Sequence, residues 1–408
     1  MRILVYGINY SPELTGIGKY TGEMATWLAL QGHAVTVVTA MPYYPEWQIH
    51  SAYTGKFWHK EILDGVRVYR CPLYVPVTIN SGKRIIHEIS FLLSAALVFL
   101  VNLFQKKYDV VISISPPFHL GLLPFLYSKI RRSVLVTHIQ DLQVDAAKDL
   151  GMIKNEMLLN LMFSLEKFFL LKSRLVSTIS DGMAKKIINK GIPFQKVCFF
   201  PNWVDTSFIK PLQKSQSLRS AFGYSNQDII IMYSGNLGEK QGLETLISVA
   251  AYFEEKTDLK FLVVGNGGGR KKLETLSTEA RLNNLKFFPL QSYENLPALL
   301  ATPDLHLVLQ KKSASDLVMP SKLVSIFASG GVSIVTAVEG SSLYRLVQES
   351  KTGIIIEPEC TDLLIKCIEE SLKQDLSVFS GNARHYAETV MAKEPIMKRW
   401  EAQLGNLT

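Results

Sequence analysis

Short runs of β-branched and apolar residues alternate with longer stretches of helical apolar spacing along most of this chain. In the first half, runs at 2–6, 34–39, 66–70, 109–114, 133–139, 175–179 and 197–200 predict strands. Helical spacing falls at 18–31, 84–105, 155–172 and 181–190. The rhythm restarts in the second half, with strands expected at 229–233, 260–264, 285–288, 305–309, 333–336 and 353–356. Helices are expected there at 242–255, 269–281, 294–301, 320–329, 341–349 and 361–373. Strands separated by helices imply parallel sheets with helical crossovers. Between the halves, Pro201-Asn-Trp-Val-Asp205 and the polar stretch Lys210 to Ser220 break the pattern and read as a linker. The expected architecture is α/β, with one Rossmann-like domain over 1–205 and a second over 206–382. A tail helix within 383–408 is expected to pack back on the body through Tyr386, Met391, Met397, Trp400 and Leu404. Ligands of such sheets bind outside the carboxyl ends of the strands, so a central interdomain cleft is the expected site.

The most apolar stretch, Ile89 to Phe104, has 16 residues. That is short of the ~20 needed to span a bilayer, so a buried or interfacial helix is expected. A length of 408 residues supports two α/β domains, each with its own core. With 44 basic against 36 acidic residues the net charge is +8, which suits a phosphate-bearing partner or an anionic membrane surface. Met1 to Tyr6 reads as a strand rather than a secretory leader. Cys71, Cys198, Cys360 and Cys367 form no metal-type spacing and read as free thiols of a reducing cytoplasm.

Candidate chemistry gathers where strands run into glycine turns. Ile229 to Met232 leads into Tyr233-Ser-Gly-Asn-Leu-Gly-Glu-Lys-Gln-Gly-Leu243 and then a helical pattern. Free N–H groups at a helix start beside a cation, here Lys240, make a seat for phosphate oxygens. Similar turns follow β-type runs at Gly7, Gly16 and Gly18, and at Gly265 to Gly269; packing alone also explains such turns. His138 and Asp141 fall at a strand end, where a carboxylate can orient an alcohol or stabilise an oxocarbenium-like centre. The competing reading is a capping Asp141 and a hydrogen-bonded core His138. Pro320 and Ser321 are helix-start residues, and they place Lys322 in the first turn, where the helix dipole disfavours a cation. A lysine there makes sense beside a diphosphate, or as a solvated surface residue. Gln291 follows a strand and reads as a contact to a base or as plain loop. No Asp-x-Asp triplet is present to hold a metal on a leaving diphosphate, so lysines and helix N-termini are expected to do that work.

Five segments together resemble one family: Ile8 to Glu23, His138 to Asp141, Phe199 to Trp203, Gly235 to Gly242, and Pro320 to Lys322. They resemble the colanic-acid WcaI-type glycosyltransferases, within the family-4 retaining enzymes of GT-B fold. The resemblance implies two Rossmann-like domains and transfer from a nucleotide sugar, with GDP-fucose as donor and no metal or cofactor. It further implies an undecaprenyl-diphosphate-linked acceptor glycan, and a cytoplasmic enzyme held peripherally on the anionic inner face of the plasma membrane. No nucleic acid partner is implied. By position, Gly16 and Gly18 resemble the loop near donor phosphates and acceptor, Asp141 with His138 the contacts to the transferred sugar, and Lys322 a diphosphate contact. Gly235, Gly265, Gln291 and Ser321 join the donor-binding candidates. Two departures stand out. Asn236 occupies a basic position with Lys240 shifted by one, and Ser325 and Asp316 stand in for a glutamate pair. A serine offers the ribose only one hydroxyl. Alternatives are a UDP-sugar donor, a nucleotide-sugar epimerase, and a non-catalytic membrane-bound scaffold.

Overall fold

The structure is a computed structural model and describes residues 1–13, 16–78, 80–149, 153, 155–314 and 321–408. It divides into two compact units, 1–201 with 394–408, and 202–393. The first unit carries eight strands: β1 (Arg2–Tyr6), β2 (Ala34–Ala40), β3 (His59–Leu63), β4 (Val66–Cys71), β5 (Val110–Ser115), β6 (Val134–Ile139), β7 (Leu175–Thr178) and β8 (Val197–Phe199). Its sheet has the order β3-β4-β2-β1-β5-β6-β7-β8 and is parallel except for β3, which runs antiparallel to β4. Helices α1 (Gly16–Leu30), α2 (Ser81–Leu103), α3 (Leu122–Arg131), α4 (Gln143–Asp149), α5 (Glu156–Lys172) and α6 (Asp181–Asn189) form the crossovers. The central strands are buried on both faces, which is why β5 reads as the unbroken run Val-Val-Ile-Ser-Ile-Ser.

The second unit has a wholly parallel sheet of β9 (Ile229–Ser234), β10 (Leu259–Val264), β11 (Leu285–Phe288), β12 (Leu305–Val308), β13 (Ser333–Thr336) and β14 (Gly353–Ile356). Its order is β11-β10-β9-β12-β13-β14. Around it lie α7 (Glu244–Tyr252), α8 (Arg270–Glu279), α9 (Leu296–Leu300), α10 (Ser321–Ala328), α11 (Ser342–Ser350), α12 (Thr361–Ser371) and α13 (Ser377–Thr389). The final helix, α14 (Lys393–Gly405), serves the first unit from Glu394 onward. There Trp27 Nε1 donates to Glu394 at 2.8 Å, His33 meets Glu401 at 2.8 Å, and Trp400 stacks on Phe200 with ring centroids 4.2 Å apart.

Four differences from the sequence reading have physical reasons. Strand β3, His-Lys-Glu-Ile-Leu, is an edge strand without a buried face, so its apolar signal is thin. Helices α3 and α4 also go beyond the expected set; α3 carries Pro124 in its first turn, a position where proline costs no hydrogen bond. The tail is two helices rather than one: α13 with Tyr386, and Met391 just after it, pack in the core of the second unit, and α14, with Met397, Trp400 and Leu404 buried, belongs to the first from Glu394 onward. The polar stretch 210–220 is no free linker. Within it Arg219 is buried, donating to Thr302 O at 2.9 Å and Asp228 O at 2.6 Å and pairing with Asp304 at 2.6 Å.

Helix α2 is longer than the apolar run that announced it. Asn80 caps it by accepting from Lys83 N at 2.9 Å, and by length and composition it alone among the described helices reaches the span of a bilayer. One face is packed on the sheet, with Phe91 and Phe99 against Tyr6 at ring-centroid distances of 5.5 and 5.0 Å. The other face, from Ile85 through Leu93 and Leu97 to Phe104, is exposed. This is a covering helix with an apolar outer face.

Candidate active site

In the second unit the strand order reverses between β9 and β12. The carboxyl ends of these neighbours therefore frame the switch-point crevice where such sheets bind ligands. β9 turns at Gly235 (φ 133°) into Asn236 and the 3₁₀ turn Glu239–Gln241, closed by Gly242 (φ 61°). Lys322 enters the same place from the first turn of α10. Its Nζ lies 3.4 Å from the centroid of the Tyr233 ring, and a Cβ on Gly235 would sit 3.3 Å from that nitrogen. The residue is half-buried, yet Nζ itself is buried and meets no hydrogen-bond acceptor among the described residues. Burial holds its pKa well below the usual lysine range. An unpaired buried ammonium is costly, and the α10 N-terminus adds positive potential beside it. A buried amine beside a helix N-terminus is an arrangement that can accept an anion.

The second glycine loop serves the first. A Cβ at Gly265 would fall 1.9 Å from Gly235 O, and one at Gly267 would fall 2.6 Å from Leu237 O. The loops are tied by Gly235 N to Val264 O (2.9 Å), Leu237 N to Asn266 O (2.9 Å) and Gly269 N to Leu237 O (2.8 Å). Gly265 is thus placed as a packing glycine that fixes the Gly235 turn. Tyr233 hydroxyl donates to Asn236 O at 2.7 Å, holding that turn from below. Lys240 is half-buried, and its carbonyl accepts from Lys311 N at 2.8 Å. Ser321 is the first residue of α10, and half-buried Ser325 follows Lys322 by about one turn. Gln291 Nε2 bonds Pro289 O at 2.9 Å, within its own loop. Asp316 lies outside the described residues.

In the first unit the order reverses between β1 and β5, and two buried carboxylates gather at the carboxyl ends. Glu13, 6% exposed, accepts from Asn9 Nδ2 at 2.9 Å, Tyr43 N at 3.2 Å and Tyr44 N at 3.1 Å. Burial pushes its pKa up to about 7 against those hydrogen bonds. Gly18 is where α1 leans on this acid: a Cβ there would lie 2.7 Å from Glu13 Oε2. Gly16 opens α1 at φ 59° with free space around it. Glu88, on the inner side of α2, meets Arg84 at 3.2 Å, Gln143 at 3.3 Å and His119 at 3.7 Å. Burial raises the Glu88 pKa and lowers that of His119 to about 4. The set offers acceptors, donors and neutral-capable acids to a hydroxyl-rich ligand.

Asp141 is half-buried at the end of β6, in the turn entering α4. His138 differs from the expectation of a catalytic group. Its Nδ1 meets Ser177 Oγ at 2.9 Å, its Nε2 meets Gln140 Nε2 at 2.8 Å, and its ring is edge-on to Phe200 at 5.1 Å. Both nitrogens are engaged at 2% exposure, and burial lowers the pKa to about 3. The residue holds β6 to β7 and supports the turn carrying Asp141. Glu13, Arg84, Glu88, His119 and Gln143 were not among the sequence candidates. Glu13 sits inside the Ile8 to Glu23 segment, and the signal for Glu88 was a charge set in an otherwise apolar helical pattern.

The family described as "Glycosyl transferase 4-like domain" matches residues 15–203, and "Glycosyl transferases group 1" matches 215–388. WcaI of Escherichia coli (strain K12), named as a glycosyl transferase of colanic acid biosynthesis, is 41% identical over 98% of this chain and 98% of its own. The chain belongs to the WcaI-type glycosyltransferases. N-acetyl-alpha-D-glucosaminyl L-malate synthase of Bacillus anthracis is 20% identical over 87% of this chain and 84% of its own. Among solved structures, sucrose-phosphate synthase from Thermosynechococcus elongatus superposes with TM-score 0.77 at 15% identity, covering 100% of this chain and 98% of that one. Anabaena HepE in complex with UDP and glucose gives 0.73 at 17% identity, with both chains covered fully. This glycosyltransferase has the GT-B fold, two Rossmann-like domains with parallel sheets.

Proposed function

We propose that the enzyme transfers fucose from GDP-fucose, with retention, to a lipid-diphosphate-linked oligosaccharide in colanic-acid-type exopolysaccharide assembly. The observation that supports this reading is the buried Lys322 amine at the switch point of the second unit, which meets no hydrogen-bond acceptor among the described residues. A nucleoside diphosphate leaving group would supply an anion to this cation. In the transfer, the bond from sugar C1 to the distal phosphate oxygen breaks as the acceptor oxygen bonds C1 from the same face. The acceptor's proton passes to the departing diphosphate. Charge develops on that diphosphate, where Lys322 and the α10 N-terminus stabilise it. On the first unit, Asp141 and the Glu13 and Glu88 cluster would bind sugar hydroxyls.

The acceptor lipid gives the first unit's outer faces a purpose. Leu93 and Leu97 of α2, Leu126 and Ile130 of α3, and Leu161 and Leu165 of α5 are all exposed, with α3 packed between its two neighbours. We read this surface as a peripheral contact with the inner leaflet. A second donor reading rests on HepE, whose structure contains UDP and glucose. The same diphosphate seat would take a UDP-sugar. Thermal shift with GDP, UDP and their sugar conjugates, with and without EDTA, tests the proposal. Selective stabilisation by GDP and GDP-fucose supports it, selective stabilisation by UDP replaces the donor, and no shift with any nucleotide overturns it.

A further inference from the structure

Away from the carboxyl ends of the first sheet, at the opposite edge where β6, β7 and β8 begin, lies a cavity of about 700 Å³. Its walls are the last turns of α3 and α5, and its floor is the start of β6. The apolar part is Phe125 and Phe168, edge-on to each other at 5.4 Å. The polar part is Lys129, Lys172, Arg174 and Lys196, with no carboxylate in the lining. Lys196 Nζ is used by the protein, donating to Leu171 O at 2.8 Å and Ser173 O at 3.1 Å. Lys172 lies 5.5 Å over the Phe168 ring. Lys129 and Arg174 line it without an ion pair among the described residues. Ser128, 7% exposed, also lines the cavity with a buried hydroxyl that has no hydrogen-bond partner among the described residues.

Cations near helix carboxyl ends complement the helix dipole. That explains one or two of them, but not a hollow that combines four cations, a partnerless hydroxyl and an aromatic wall. Phe168 in the cavity lining is itself exposed and follows Leu165 on α5, a residue of the exposed apolar surface assigned above to the membrane. We propose that this cavity binds the phosphate-bearing head group of an anionic phospholipid, with the lipid chains lying along the exposed faces of α3 and α5. This rests on the membrane reading and makes it lipid-selective: the apolar faces give adhesion, and the cavity gives preference for anionic lipid. It also lies away from the carboxyl ends, so an occupant there would leave the catalytic end of the sheet free.

The test is co-sedimentation of the full chain with phosphatidylcholine vesicles and with vesicles containing phosphatidylglycerol. The double variant Lys129→Gln with Arg174→Gln is compared with a control, Lys106→Gln with Lys107→Gln, that removes two charges outside the cavity. The cavity variant should bind phosphatidylglycerol vesicles about thirtyfold more weakly than wild type. Its binding to phosphatidylcholine and its stabilisation by nucleotide should be unchanged, and the control should lose much less. Equal losses in both variants would mean diffuse surface charge and would overturn the cavity. A melting shift with inorganic phosphate, lost in the cavity variant without any vesicle dependence, would assign the site to free phosphate and overturn the lipid. Failure of the wild type to bind any vesicle would sink the membrane reading itself, whereas binding without anionic preference would sink only this inference.

Discussion

Replacing Lys322 by methionine should move two measurements in opposite directions. The methionine keeps the apolar stem beside Tyr233 and Gly235 and removes a buried ammonium that has no acceptor among the described residues. Exchanging such a charge for a packed apolar group stabilises by about 1–3 kcal/mol. For a unit of this size that is a rise in melting temperature of about 2–10 °C. Diphosphate binding should meanwhile weaken by about 2–4 kcal/mol, or roughly 30- to 1000-fold in Kd, because the ligand's charge loses its partner. The pH dependence has a defined sign. The folded pKa lies below the unfolded value of 10.5, so the penalty is full below the folded pKa and is relieved as pH rises towards 10.5. Wild type should therefore gain stability across that window, and the variant should not. Differential scanning fluorimetry from neutral to alkaline pH and calorimetric titration with GDP or UDP read both effects. A variant that melts lower while binding nucleotide as wild type would refute the anion seat and make Lys322 a structural residue.

Three further outcomes follow from the same geometry. Gly265→Ala should cost more than about 3 kcal/mol, because its Cβ would meet Gly235 O at 1.9 Å on a backbone at φ 151°. Gly268→Ala, with open space around it, should stay within about 0.5 kcal/mol, and melting curves of the pair check the contrast. Glu13→Gln should flatten the pH dependence of stability between about 4.5 and 7. In wild type the folded state holds the Glu13 proton more tightly than the unfolded one, so stability falls as pH rises through that window. Above it the variant should be the more stable, by roughly a few kcal/mol. Asp141→Ala should lower turnover by about 10²-fold or more while leaving the nucleotide-induced melting shift intact. Full activity in that variant would remove Asp141 from the mechanism.

The architecture was legible because parallel strands covered on both faces are apolar along most of their length. The runs at 229–233, 305–309 and 333–336 fall on β9, β12 and β13 for that reason. Strand β3 escaped because an edge strand has little apolar face to display. Lys322 was also legible, from its place in the first turn of α10, where a cation needs a reason. What the sequence withheld was the partner of each polar group. His138 and Asp141 share one strand end, and nothing in their spacing says that His138 turns inward to Ser177 and Gln140. The glycines were equally silent: Gly235 and Gly265 look alike in sequence, yet one shapes the turn at the switch point and the other exists to let that turn approach.

The residues missed share a cause that also explains their placement. Glu13 is buried by the 41–44 segment and α1, and Glu88 by the inward face of α2 against His119 and Gln143, contacts separated by 30 or more residues in the chain. Periodicity sees only which face of its own helix a residue occupies. A charge on the inner face of an apolar helix therefore reads as a flank or an error, when tertiary packing has made it a raised-pKa acid. Each unit thus buries an ionisable group whose charged form is disfavoured, Lys322 in one and Glu13 in the other, beside the point where its strand order reverses. Packing alone would favour apolar residues at both positions. A ligand of opposite charge or many hydroxyls would offset such a cost, which supports the proposal that the two switch points carry the chemistry.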